Sequence, residues 1–165
     1  GVIVMSQTFT VSKTVTEDFI DHNNHMHDAY YNIIFSDVID DFNYSHGLSL
    51  DERAQYEYTT FTIEEHTSFL SELTLNEQYH VELYVYDYDY KRVHFFLRMV
   101  RQDGEIAATN EVMMMGIDQN KRRSAAFPED YYQQIERYAQ QEQQTIEWPK
   151  QLGHRIGIPH KEDQL

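Results

Sequence analysis

The stretch Asp21-His22-Asn23-Asn24-His25-Met26-His27-Asp28-Ala29-Tyr30-Tyr31 passes from turn-forming polar residues directly into an apolar run. Asp21–His27 has no apolar period and is rich in Asn, Asp and His, so it reads as a loop. From Ala29 to about Tyr44, the residues Ala29, Tyr30, Ile33, Ile34, Val38, Ile39 and Phe42 recur at steps of one, three and four. That spacing predicts a helix apolar over much of its circumference, with Asp37, Asp40 and Asp41 left for a wetter side. Asp28 can cap this helix, and Gly47 can close it.

Working outward, Thr8–Thr16 is dense in β-branched residues and reads as a first strand. Four more strand-like runs follow the helix: Tyr58–Leu70, Tyr79–Tyr90, Val93–Arg101 and Ile106–Ile117. In Tyr79–Tyr90, residues Tyr79, Val81, Leu83 and Val85 point one way, and His80, Glu82, Tyr84, Tyr86 and Tyr88 the other. Asp103-Gly104 is a hairpin turn, with Asn76-Glu77 and Tyr90–Arg92 as the other reversals. The order strand, helix, four strands predicts an α+β antiparallel sheet wrapped around one long central helix. After Pro128 a polar helix over about Glu129–Gln144 is expected, then an irregular tail from Trp148 to Leu165. The expected division is a main domain over 5–128, with 129–165 packed on it. Met5 is a candidate start, with Gly1–Val4 ahead of it.

The chain has 165 residues, enough for one domain with a sizeable core. Its formal charge is −15, from 28 acidic and 13 basic residues, which disfavours nucleic acid and anionic lipid as partners. With 41% hydrophobic and 14% aromatic residues, disorder is disfavoured. The absence of cysteine excludes disulfides, thiol nucleophiles and Cys-based zinc sites, and fits a cytoplasmic location. No run is long enough to span a membrane as a helix, and no signal peptide is expected ahead of the first strand.

The loop before the helix is where chemistry is expected. A helix N-terminus offers unpaired backbone N–H groups and a positive dipole end, which can polarise a carbonyl and hold an oxyanion. Asp21, seven residues ahead of Asp28, can then serve as general base or nucleophile. The plainer alternative is that Asp21, Asn23 and Asp28 only cap turns and the helix. His22, His25 and His27 lie near two Asp residues, but no His-x-x-x-His pair on a helix is present and no metal is expected. Met113-Met114-Met115 reads as core filling on one face.

The segment resembles the Asp-x-x-x-His-x-Asn-x-x-x-Tyr signature of the hotdog-fold acyl-CoA thioesterases, the 4-hydroxybenzoyl-CoA thioesterase superfamily, with His27 standing where the signature has Asn. Further stretches are similar to the betainyl-CoA thioesterases of carnitine degradation. They are Phe61–Leu73, Tyr88–Phe96, Gly104–Glu111 and Lys121–Pro128, together with Trp148-Pro149 and Gly157-Ile158-Pro159 of the tail. The resemblance runs from about Val11 to Pro159. It implies a hotdog fold and hydrolysis of an acyl-CoA without cofactor or metal, with betainyl-CoA as the leading substrate. It also implies Asp21 as the catalytic carboxylate and a carbonyl oxygen facing the backbone N–H near Asp28 or Ala29. Asn24 and His25 would orient Asp21 or the water, and His25 reads equally as a structural loop residue.

Sites in this family form between two subunits, so a homodimer is expected, with a tetramer left open. One chain would supply Asp21 and the helix, the other the Glu64–Phe69 strand. A cationic acyl group would meet Tyr30, Tyr31, Glu65 and Phe69. Glu65 is preferred to Glu64 because it shares the parity of Phe61, Ile63 and Phe69. The Tyr84, Tyr86, Tyr88 and Tyr90 series reads as sheet or interface cover, or as an aromatic pocket. Residues 91–123 carry a net charge of +3 against −18 for the rest, so Lys91, Arg92, Lys121, Arg122 and Arg123 are candidates for the CoA phosphates, or else a solvated turn. The rivals are a thioesterase for another short or aromatic acyl-CoA and a non-catalytic acyl-CoA-binding module; Asp21 favours an enzyme.

Overall fold

The computed structural model describes residues 7–160; Met5, the candidate start, lies outside them. The central helix α1 runs over Asp28–Ser45 and buries Tyr31, Ile34, Phe35, Val38, Ile39, Phe42 and Asn43. That stripe is narrower than expected, because Ile33 stays 46% exposed and Tyr30 lies at its margin. The cap also sits one residue earlier than expected. His27 is the N-cap, its Nδ1 accepting the Ala29 N–H at 3.2 Å, and the Asp28 carboxylate accepts the same N–H from inside the first turn. After Ser45 the chain reverses at Gly47, where φ is +106°, and an added Cβ would meet Asp130 Oδ2 at 2.9 Å. A short helix not foreseen, α2 over Leu50–Tyr56, begins with a capping box in which Ser49 and Glu52 satisfy each other's backbone N–H. Seven residues are too few for a periodicity to show.

The strands are β1 Phe9–Thr14, β2 Tyr58–Phe69, β3 Gln78–Tyr88, β4 Arg92–Arg101, β5 Ile106–Asp118 and the short β6 Arg123–Ser124. They pair antiparallel in the order β1-β3-β4-β5-β2, with β6 on β5. Gly104, at φ +89°, turns β4 into β5 as its Asp-Gly pair required. One face of the sheet packs Val81, Leu83, Val85, Val93, Phe95, Leu97, Val112 and Met114 against α1. This is the expected helix wrapped by an antiparallel sheet. Among the described residues no helix is long and apolar enough to cross a membrane.

Two bulges overturn the expected facing of side chains. In β3 the register slips between Val85 and Asp87, so Tyr86 is the extra residue. Tyr84 and Tyr86 therefore pack outward against Trp148, whereas Tyr88 pairs with Val93 and turns to the helix side beside Tyr132. The tyrosine series does not share a face. In β2 the slip falls between Thr62 and Glu64, making Ile63 the extra residue. Phe61 pairs with Met115 on the outer face, while Glu65 and Phe69 pair with Val112 and Ala108 on the helix face. The parity linking Phe61 to Phe69 is broken there.

The helix α3, Glu129–Arg137, is not simply polar. Tyr131 and Ile135, with Tyr138 in the following π-turn, are fully buried in the same core as α1. The Tyr131 hydroxyl donates to Asn43 Oδ1 at 2.7 Å, and the Tyr138 hydroxyl accepts the Phe9 N–H at 2.8 Å. The tail then crosses the outer face of the sheet, where Trp148 covers Tyr84, Tyr86 and Phe96.

Candidate active site

The Asp21 loop is fixed by backbone bonds. Asp21 N–H donates to His25 C=O at 2.8 Å and Asn24 N–H to Asp21 C=O at 3.1 Å, with Asn24 at φ +66°, a conformation Asn tolerates. Met26 N–H then donates to Leu73 C=O at 2.8 Å, docking the loop on the segment after β2. The Leu73 N–H in turn donates to the buried Tyr31 hydroxyl at 3.0 Å, which ties that segment to α1.

The Asp21 carboxylate points into this turn. Its Oδ1 accepts the Asn23 N–H at 2.8 Å and the His25 N–H at 3.3 Å. The Asn23 backbone bond above all holds the carboxyl below the usual Asp value, so it is a stable anion at neutral pH. A cavity of about 590 Å³ opens beside it, lined by Asp21, Asp28, Tyr31, Phe69, Ser71 and Glu72 among others. Tyr31 and Phe69 meet edge to face in its wall, with ring centroids 5.2 Å apart. The site therefore combines an ionised carboxylate, the first turn of α1 and an aromatic wall. Chemically, such groups can serve as a base or nucleophile, an electropositive helix end for a developing oxyanion and a contact for an acyl group.

Asp21, Asp28, Tyr31 and Phe69 thus come together, and they do so within one chain. The other candidates lie elsewhere. The His25 imidazole makes no hydrogen bond to Asp21 and pairs with Glu72, its Nδ1 3.0 Å from Oε2. Asn24 is exposed at the corner of the loop and reaches Asp21 through its backbone N–H. Tyr30 stacks at a tilt on Phe19, with centroids 4.8 Å apart, because it falls outside the stripe of α1 that faces the cavity. Glu65 lines a separate cavity of about 420 Å³ with Glu64, His66, Glu111 and Arg155. Glu72 and Ser71, which no spacing singled out, occupy the cavity because the chain leaves β2 directly beside Asp21.

The basic residues sit at the far end of the sheet. The Lys91 C=O accepts the Gly116 N–H at 2.8 Å, and the Tyr90 C=O accepts the Phe127 N–H at 2.8 Å. The turn holding Lys91 and Arg92 therefore lies beside the one holding Lys121, Arg122 and Arg123. Phe69 pairs with Ala108 and Arg92 with Met115, a separation along β5 of about 23 Å at ~3.3 Å per residue. Arg92 is already committed to Asp89, with Nη2 2.6 Å from Oδ2.

Inside the sheet, Asn110 Nδ2 donates to Thr67 Oγ1 at 2.9 Å and Thr67 Oγ1 donates to Asn32 Oδ1 at 2.6 Å. This polar chain from β5 through β2 to α1 was not legible in the sequence, since each residue alone reads as an ordinary surface residue.

Comparison with known proteins gives one family and three similar proteins. The family described as the Thioesterase-like superfamily matches residues 15–135. A Staphylococcus aureus protein, solved in complex with CoA, is 61% identical and superposes with a TM-score of 0.93 over 96% of this chain and 100% of its own. A betainyl-CoA thioesterase of Pseudomonas aeruginosa is 29% identical over 157 residues, 94% of this chain and 98% of its own. A solved Pseudomonas putida chain is 28% identical, with a TM-score of 0.80 over 95% of this chain and 99% of its own.

Proposed function

The chain belongs to the Thioesterase-like superfamily as an acyl-CoA thioesterase of hotdog fold, and from that premise we propose that Asp21 carries the hydrolysis and that betainyl-CoA is its substrate. The observation that carries the first part is the anchored, ionised Asp21 carboxylate beside the head of α1. A thioester carbonyl placed there is attacked from the Asp21 side, either by water that Asp21 deprotonates or by the carboxylate itself, which forms a mixed anhydride that water then opens. The carbonyl oxygen faces the start of α1. The Ala29 N–H is taken by His27 and Asp28, so the Asp28 N–H is the donor that fits. CoA leaves as the thiolate and is protonated from solvent. A single turnover in ¹⁸O-water reports an anhydride that water opens at the Asp21 carboxyl carbon: the acid then carries ¹⁶O from Asp21 and the protein ¹⁸O, whereas direct attack by water puts ¹⁸O in the acid.

The acyl assignment is supported by the likeness to the Pseudomonas aeruginosa betainyl-CoA thioesterase and by the makeup of the cavity. A trimethylammonium group offers neither hydrogen-bond donors nor a proton to lose, so aromatic faces and carboxylates are what can hold it. Tyr31 and Phe69 supply the first, and Asp28 and Glu72 the second. Free-thiol release across a panel of betainyl, acetyl, longer fatty and aromatic acyl-CoAs tests this. A kcat/KM highest for a neutral acyl group would refute the betainyl reading and leave the thioesterase standing.

The chain functions as a homodimer formed through β2. This strand is an edge of the sheet, twelve residues long, with Phe61, Ile63 and Phe69 all more than half exposed. Such an edge is a template for another strand. A two-fold axis beside it pairs β2 with its copy antiparallel, so that each subunit's Asp21 end meets its partner's Arg122 end. The 23 Å gap between thioester and phosphate sites within one chain then closes across the interface.

A further inference from the structure

We propose that residues 154–160 form an arm that reaches over a second copy of this chain and packs Ile156 and Ile158 against Phe61 and Ile63 of that copy. The proposal rests on the β2 pairing above. The path of the tail carries it. Trp148 lies over Tyr84 and Tyr86 of β3 and Phe96 of β4, with ring centroids 5.0–6.0 Å apart. Gly153 N–H donates to Glu111 Oε1 of β5 at 2.7 Å, and the His154 ring is 6.2 Å from His66 of β2. The tail thus crosses the outer face strand by strand in sheet order and arrives at the edge. Arg155 joins Glu64, Glu65 and Glu111 around the cavity there, a cation set against an acidic rim.

Beyond that point Ile156 is 86% exposed and Ile158 78% exposed. Six residues from Arg155 reach up to about 20 Å, or roughly four strand spacings. Among the described residues, no further strand of this chain lies past the edge. With a second β2 paired antiparallel, the half of that strand holding Phe61 and Ile63 lies alongside the half holding His66. Phe61 faces the outer side on which the tail travels, as its pairing with Met115 shows, and it is 58% exposed; Ile63 is 52% exposed. Two uncovered apolar side chains on the arm then meet two on the strand, and by symmetry this happens twice per dimer.

The test uses the full-length protein. Ile156→Asp with Ile158→Asp should weaken the dimer about tenfold or more by sedimentation equilibrium. The secondary structure should stay unchanged, because both side chains are exposed within the chain. The protein has no cysteine, so a tagged Ile158→Cys chain mixed with an untagged Phe61→Cys chain should give, on mild oxidation, a disulfide-linked band containing both. A dimer of unchanged strength together with no mixed cross-link would overturn the arm while leaving the β2 pairing intact. A wild-type protein that sediments as a monomer would overturn the pairing and the arm with it.

Discussion

Asp21 and His25 are joined through the main chain of His25 and not through its imidazole. The Asp21 N–H donates to the His25 C=O, the His25 N–H donates to Asp21 Oδ1, and the imidazole turns to Glu72. The carboxylate is positioned by chain conformation, which no substitution of the neighbouring side chains directly removes.

Asp21→Asn should lower kcat more than about a hundredfold, since the amide keeps the size of the carboxylate but has no basicity. Because the folded Asp21 carboxyl lies below the ordinary value, the ionised form persists as pH falls. Wild-type kcat/KM should therefore show no loss from Asp21 between about pH 5 and 8, the acid limb lying under about 3.9. A near-normal rate for Asp21→Asn, or a half-maximal rate above pH 5 that this substitution abolishes, would exclude Asp21 as the base.

His25→Ala should cost less than about tenfold in kcat, because the Asn23 and His25 N–H bonds to Asp21 are main-chain bonds and survive it. A loss as large as that of Asp21→Asn, read in the same thiol-release assay, would return the imidazole to the reaction.

Arg122→Ala with Arg123→Ala should raise KM for CoA esters and flatten its dependence on salt, with kcat little changed. Phosphates are held alike in the ground and transition states. Measuring KM at several ionic strengths decides it; an invariant KM would make this run a solvated turn.

Glu72→Gln should reduce kcat/KM for betainyl-CoA about two- to fivefold more than for a neutral acyl-CoA of equal size, as a charge contact at an exposed carboxylate is worth up to about 1 kcal/mol. Glu65→Gln should leave that ratio unchanged, because Glu65 lines the other cavity. The reverse ranking would move the ammonium site to Glu65.

Tyr31→Phe should lower stability by about 1–3 kcal/mol, leaving the Leu73 N–H without its partner. At about 2–4 °C per kcal/mol for a chain of this size, the shift is readable in a thermal melt. An unchanged Tm would mean that another group takes the Leu73 N–H.

The long elements were legible because each has a local signature, whereas the short α2 and β6 were not. The three- and four-residue steps of α1 and the Asp103-Gly104 turn need no knowledge of the rest of the chain. The facing of side chains was not legible beyond Ile63 and Tyr86, since alternation counts residues while a bulge removes one from the count. At the candidate site, Asp21, Asp28, Tyr31 and Phe69 are expected from the loop, the helix start and the family resemblance, and they line one cavity. Glu72 and the remoteness of Lys91 and Arg122 were hidden, because both follow from β2 pairing with β5. Strand order is a non-local property that no window of sequence contains.

That same strand order sets a waiting time during synthesis. Tyr58 pairs with Asp118, 60 residues later in the chain. At about 5–20 residues per second, the start of β2 leaves the ribosome some 3–12 s before its partner exists. Throughout that interval both edges of a strand carrying Phe61 and Ile63 are open, while β3, β4 and β5 can zip as neighbouring hairpins as they emerge. The nascent chain is therefore most exposed to premature association at the segment proposed to pair the finished subunits.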